Sequence, residues 1–118
     1  MVPPLARVRT HEYELSAISQ ISTLHTAETQ YYSQFGRFAS NLGELGPAAA
    51  DLIPADLARG VKGGYRFALT GSPTGYTIQA RPVSYPDRGR RTFFSDQTMI
   101  IRESWDPVPA SIQSPEIR

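Results

Sequence analysis

From Leu5 to Phe35 the chain carries neither glycine nor proline, and this uninterrupted stretch limits the fold more than any other feature. Ala17, Ile21, Leu24, Glu28, Tyr31 and Phe35 recur at steps of four, three, four, three and four, which places them on one side of an α-helix. Ile18, His25 and Tyr32 flank that stripe. Pro3 and Pro4 stand where a first helical turn tolerates a missing N–H, and Gly36 supplies a C-terminal stop. The pattern therefore predicts a helix over residues 3–35, about 45 Å long at 1.5 Å per residue. Its apolar stripe is dense only from Ala17 onward. Residues 3–16 are mostly polar (Arg7, Arg9, His11, Glu12, Glu14), so this half is expected to project and to need a partner.

After the helix the punctuation changes. Residues 36–63 read as a connection with short helical pieces: Ser40 and Asn41 cap a turn at Leu42 and Leu45, and a second turn is expected over residues 48–52. From Gly64 the apolar period becomes two. Tyr65, Phe67 and Leu69 alternate with Arg66, Ala68 and Thr70, and after a turn at residues 71–75 Tyr76, Ile78 and Ala80 repeat the pattern. A third strand is expected over residues 92–95 and a fourth over 99–102. Their register stays open, because Phe93–Phe94 and Ile100–Ile101 are adjacent apolar pairs. The expectation is one α+β domain over residues 1–105, a long helix packed on a four-stranded antiparallel sheet over residues 64–104. Ile21, Leu24, Tyr31, Phe35, Phe67 and Ile78 make its core. Residues 106–118 contain three prolines and read as an extended, flexible tail.

The 118 residues suffice for one modest core, and 40% hydrophobic with 19% charged residues is an ordinary globular balance. A formal charge of +1 argues against a protein that grips nucleic acid or an anionic membrane along a whole face, leaving only local patches. The absence of cysteine removes disulfides, thiolate metal sites and cysteine nucleophiles. No run approaches the roughly 20 apolar residues of a membrane span, and no signal-peptide core opens the chain, which as it stands reads as soluble.

Few residues suggest chemistry. His11 and His25 lie about 21 Å apart along one helix and cannot share a metal or a catalytic site. Glu28 falls inside the apolar stripe and is expected either to reach solvent at the helix edge or to pair with a base such as Arg66. It lacks the neighbouring carboxylate that acid–base work requires. The Gly60, Gly63 and Gly64 group lacks the lysine–hydroxyl ending of a phosphate loop and reads as a turn. Arg88, Arg90 and Arg91 form a basic loop, read as a solvated tip that protects a sheet edge, or as an exposed anion or DNA patch with Tyr85 beside it. No catalytic residue, metal site or cofactor is expected.

The order of these elements resembles the type IV pilins and the type II secretion pseudopilins, over most of the chain as far as Arg102. Residues 3–7 (PPLAR), Glu12, Ala17, Ile18 and 24–32 (LHTAETQYY) are similar to the part of a pilin helix that follows its membrane-embedded half. Residues 35–38 (FGRF) and 42–46 (LGELG) look like the family's exit from that helix. Residues 64–67 (GYRF), 75–80 (GYTIQA), 91–97 (RTFFSDQ) and 100–102 (IIR) follow the strand pattern of its short, cysteine-free members. The resemblance implies a non-enzymatic structural subunit that assembles with copies of itself into a filament through the N-terminal helix. Leu5, Arg7, Val8, Arg9, Glu12 and Glu14 are the candidate subunit contacts. It implies an inner-membrane anchor ahead of the present chain, a final place on an extracellular pilus, and no small-molecule substrate. Two departures stand out: the family's leader and apolar segment are not in this sequence, and Met99 occupies a turn position where relatives often carry glycine, which suggests a wider hairpin. A minor pilin or pseudopilin would share the scaffold. A free-standing ligand- or DNA-binding domain is the reading of a different class.

Overall fold

The computed structural model describes residues 5–83, 91–104 and 109–117, with backbone only for the first turns of the opening helix. Helix α1 spans Leu5–Phe35 and is about 46 Å long. It stops where expected: Gly36 takes φ +72°, a conformation glycine adopts without cost, and its N–H bonds to the Tyr32 carbonyl at 2.8 Å. Asn41 then caps α2 (Leu42–Leu45), accepting the Glu44 N–H on its side chain at 3.0 Å. The turn expected over 48–52 forms at 47–50, as a turn and not a helix, and a second short helix, α3, follows at Ala55–Ala58. Asp51, at φ +57°, breaks the chain before any helix can form there.

The sheet has five strands in sequential antiparallel order: β1 (Val61–Lys62), β2 (Tyr65–Gly71), β3 (Tyr76–Pro82), β4 (Thr92–Asp96) and β5 (Arg102–Ser104). The α+β architecture is as read from the sequence, with one strand more. The addition is β1, which pairs Lys62 with Tyr65 across Gly63 and Gly64. Both glycines have positive φ (+61° and +81°), the signature of the tight turn that matches strand twist. Tyr65, Phe67 and Leu69 of β2 and Tyr76, Ile78 and Ala80 of β3 point inward, while the residues between them are exposed. They meet Ala17, Ile21, Leu24, Ala27 and Tyr31 of α1, together with Phe93 of β4. Phe35 does not join this core and is 54% exposed. Phe35 instead packs its ring on Tyr31, with centroids 4.5 Å apart.

The last hairpin is wider than two residues, as Met99 suggested, and β5 begins at Arg102. Met99 adopts φ +67°, a left-handed conformation that a side chain resists, and its N–H bonds to the Asp96 carbonyl at 2.9 Å. Its side chain is about half exposed, so little packing compensates. Met99→Gly is therefore expected to stabilise the domain by up to about 1 kcal/mol, and Met99→Val to destabilise it by a similar amount. Equilibrium denaturation of the two variants checks the sign.

The tail is not free. Residues 109–117 lie against β4 and β5: the Ala110 N–H reaches Thr92 Oγ1 at 2.9 Å, the Glu103 N–H reaches the Pro115 carbonyl at 2.8 Å, and the Ile117 N–H reaches the Ile101 carbonyl at 2.9 Å. Arg102 and Glu116 form an isolated antiparallel bridge. The Ala110 contact covers Thr92 at the start of β4, a strand buried along its whole length.

Candidate functional site

Three polar groups interrupt the apolar core beneath α1, two of them placed on the sheet side by strand parity. Phe93 faces inward, so Arg91, two residues earlier, also turns toward α1. Its Nε donates to Glu14 Oε1 at 3.1 Å and its Nη1 to Glu103 Oε2 at 2.8 Å, while the guanidinium lies 5.1 Å from the Phe93 ring centroid. Tyr65 adds a clasp by donating its hydroxyl to the Arg91 carbonyl at 2.7 Å. Burial and the Glu14 carboxylate push the Tyr65 phenol well above its usual range.

This arrangement corrects two readings. Glu14 is only 3% exposed and is engaged within the chain, so it is not an outward subunit contact. Arg91 is held between two carboxylates and is not part of an exposed basic patch. Glu12 is exposed and still qualifies as a surface contact. The side chains of Leu5, Arg7, Val8 and Arg9, and all of Arg88 and Arg90, lie outside the described residues.

The second group is a buried chain of hydrogen bonds. His25 Nε2 lies 2.7 Å from Ser95 Oγ, and Nδ1 lies 2.6 Å from the Tyr76 hydroxyl. Ser95 donates its own proton to the Ile100 carbonyl at 2.8 Å, so it must accept from Nε2–H. Nδ1 is then bare and accepts from Tyr76. Only the neutral ring satisfies every member. A serine next to a histidine suggests a nucleophile, but Ser95 is fully buried and its proton is already committed. Its work is to fix the helix on β3 and β4. The sequence held a signal for it: inward parity from Phe93 lands on Ser95, and His25 flanks the helical stripe.

Comparison with protein-family models, with curated proteins and with solved structures finds no match. The functional case therefore rests on these residues.

Glu28 is the third group, fully buried, and it neither reaches solvent nor meets Arg66, which lies on the outer face of β2. Oε1 accepts the Ala39 N–H at 2.7 Å, and Oε2 finds no partner among the described residues. Burial pushes this carboxyl up to about 7, opposed in part by the Ala39 hydrogen bond. His25 moves the other way: burial lowers its pKa, and the Asp96 carboxylate restores only part of the loss.

The two groups give opposite pH dependences. Glu28 holds its proton more tightly folded than unfolded, so its contribution is complete below about 4.5 and is lost as the pH rises through about 7. His25 binds its proton less tightly when folded, so its contribution is present above about 6.5 and is lost as the pH falls through its lowered value. Glu28→Gln, which stays neutral, should gain on the parent by about 3 kcal/mol between pH 4.5 and pH 8. The variant's remaining dependence, a rise in stability up to about pH 6.5, should be that of His25. Urea denaturation across that range measures both. Parallel profiles for variant and parent would rule the account out. Among the described residues no three His, Asp or Glu side chains converge as a metal ion would require.

Proposed function

We propose that this chain is a structural subunit of a type IV pilus-like filament, assembling with other copies through the N-terminal part of α1 and performing no catalysis. One observation carries the reading. Helix α1 runs unbroken for 31 residues from Leu5, about 46 Å, whereas the longest strands it packs on have seven residues, about 23 Å. The helix is thus about twice as long as those strands, in one continuous run. The body itself is packed at the helix–sheet contact, where the His25 and Arg91 groups hold α1 to the sheet.

Filament assembly suits such a shape, because side-by-side helices bury apolar and complementary charged surface that a single subunit leaves uncovered. Leu5, Arg7, Val8, Arg9 and Glu12 are the contact residues in this reading, with Glu14 withdrawn from the set. Among the described residues no helix is long and apolar enough to cross a membrane. The reading therefore places the inner-membrane anchor in a segment preceding this chain, and the assembled subunit on the cell surface.

Single cysteines at Val8 and Glu12, introduced into the gene in its own host, test the proposal. Oxidised filaments sheared from the cell surface should contain the chain as cross-linked multimers. A chain absent from the sheared fraction, and monomeric throughout, would overturn it.

A further inference from the structure

The outer face of the sheet, opposite α1, holds an unusual charge arrangement. Arg66 of β2 and Arg81 of β3 are direct cross-strand partners, and both are exposed. Like charges placed opposite one another on a sheet repel, and folds ordinarily avoid the arrangement or interpose a carboxylate. Here the ion pairs formed by the described residues join Arg37 to Glu44, Lys62 to Asp56, and Arg91 to Glu14 and Glu103, leaving Arg66 and Arg81 without an acidic partner among those residues. A third guanidinium, Arg59 at the end of α3, borders the same open groove of about 400 Å³. Beside the arginines the exposed lining is uncharged: Val61, Ala68, Gln79 and Pro109.

We propose that this groove binds the phosphodiester backbone of duplex nucleic acid. Guanidinium groups match phosphate oxygens with paired N–H donors, and two of them rise here from adjacent strands about 4.8 Å apart. An acidic protein partner would need an apolar anchoring pocket at the centre of its contact. The groove offers only the side chain of Val61 on the short edge strand β1, since Phe67 and Phe93 line it from within the core. For the same reason it lacks exposed aromatic rings on which single-stranded bases could stack. What remains is charge directed at a regular anionic backbone, without base readout. The surface uses none of Arg88, Arg90 and Arg91, and it does not depend on assembly into a filament.

Fluorescence anisotropy of the 118-residue chain with a labelled mixed-sequence duplex of about 20 base pairs, at about 50 mM salt and above, tests this. Three phosphate contacts predict that log K falls against log salt with a slope between about −2 and −3. Each single Arg→Gln change at positions 59, 66 and 81 should remove about one unit of that slope. The triple variant should bind at least about tenfold more weakly while keeping the parent's circular dichroism. Arg37→Gln, which removes a guanidinium already paired with Glu44, should bind as the parent does. Unchanged affinity in the triple variant, no binding at the lowest salt, or equal competition by polyglutamate at matched charge would each overturn the proposal.

Discussion

Arg91→Met should destabilise the domain by about 3–5 kcal/mol, the cost of leaving a buried charge without its partner. Methionine keeps much of the arginine's volume and its contact with the Phe93 ring, so the loss is electrostatic and not a cavity. Glu14, 3% exposed, loses its Nε hydrogen bond, and Glu103 loses its contact at 2.8 Å. For a domain of ordinary stability, around 5–15 kcal/mol, that is a large fraction. Pairing the change with Glu14→Gln should recover part of the deficit, because the buried side chain is then neutral. Urea denaturation of the single and double variants measures both quantities. A single-variant cost below about 1 kcal/mol would mean that the triad is solvated and does not hold α1 to the sheet. Amide exchange offers a second readout, since opening should concentrate around Tyr13 and Ala17.

Gly71→Ala should be comparably severe, about 3 kcal/mol or more, for a steric reason. A Cβ at position 71 would stand inside the van der Waals envelope of the Ala39 carbonyl oxygen and 2.8 Å from the Ala39 carbonyl carbon. Both obstacles are backbone, and Ala39 is fully buried, so no side-chain rotation relieves them. The Gly71 N–H also bonds the neighbouring Ser40 carbonyl at 3.1 Å, tying the end of β2 to the helix exit. Moving Ala39 aside would stretch its hydrogen bond to Glu28, and the carboxyl would titrate still higher. Thermal unfolding should show a fall in Tm on the order of 10 °C. Gly36→Ala is the matching control: the added Cβ meets nothing within 4 Å, and only the φ of +72° resists it, at about 1 kcal/mol. Equal effects at the two positions would rule out the clash.

The helix and the two central strands were legible because each buries one face, and burial on one face writes a period into the residues. The period of 3.5 between Ala17 and Tyr31, and of two between Tyr65 and Ala80, needed no knowledge of partners. Elements defined by partners were harder to see. Strand β1 has only two residues, and its evidence was the glycine pair that turns it onto β2. Glu14 and Arg91 looked like surface charges because, taken separately, each is one; the contact spans 77 positions. Phe35 continued the helical stripe faithfully, yet it is exposed and meets only the ring of Tyr31 among the described aromatic contacts. The tail's prolines suggested an unstructured segment, whereas its amides and carbonyls find partners on β5 without forming a regular strand.

That tail has a further consequence for crowded conditions. An uncovered outer strand is a template on which a second molecule can add its own backbone, and growth by that route is hard to reverse. On the β5 side the carbonyl of Ile101 and the N–H of Glu103 are already taken by Ile117 and Pro115 of the same molecule. On the other side β1 offers two residues, one of them Lys62, whose charge discourages stacking. Neither margin invites sheet extension, so copies held at high local density are steered away from fibre formation by backbone addition.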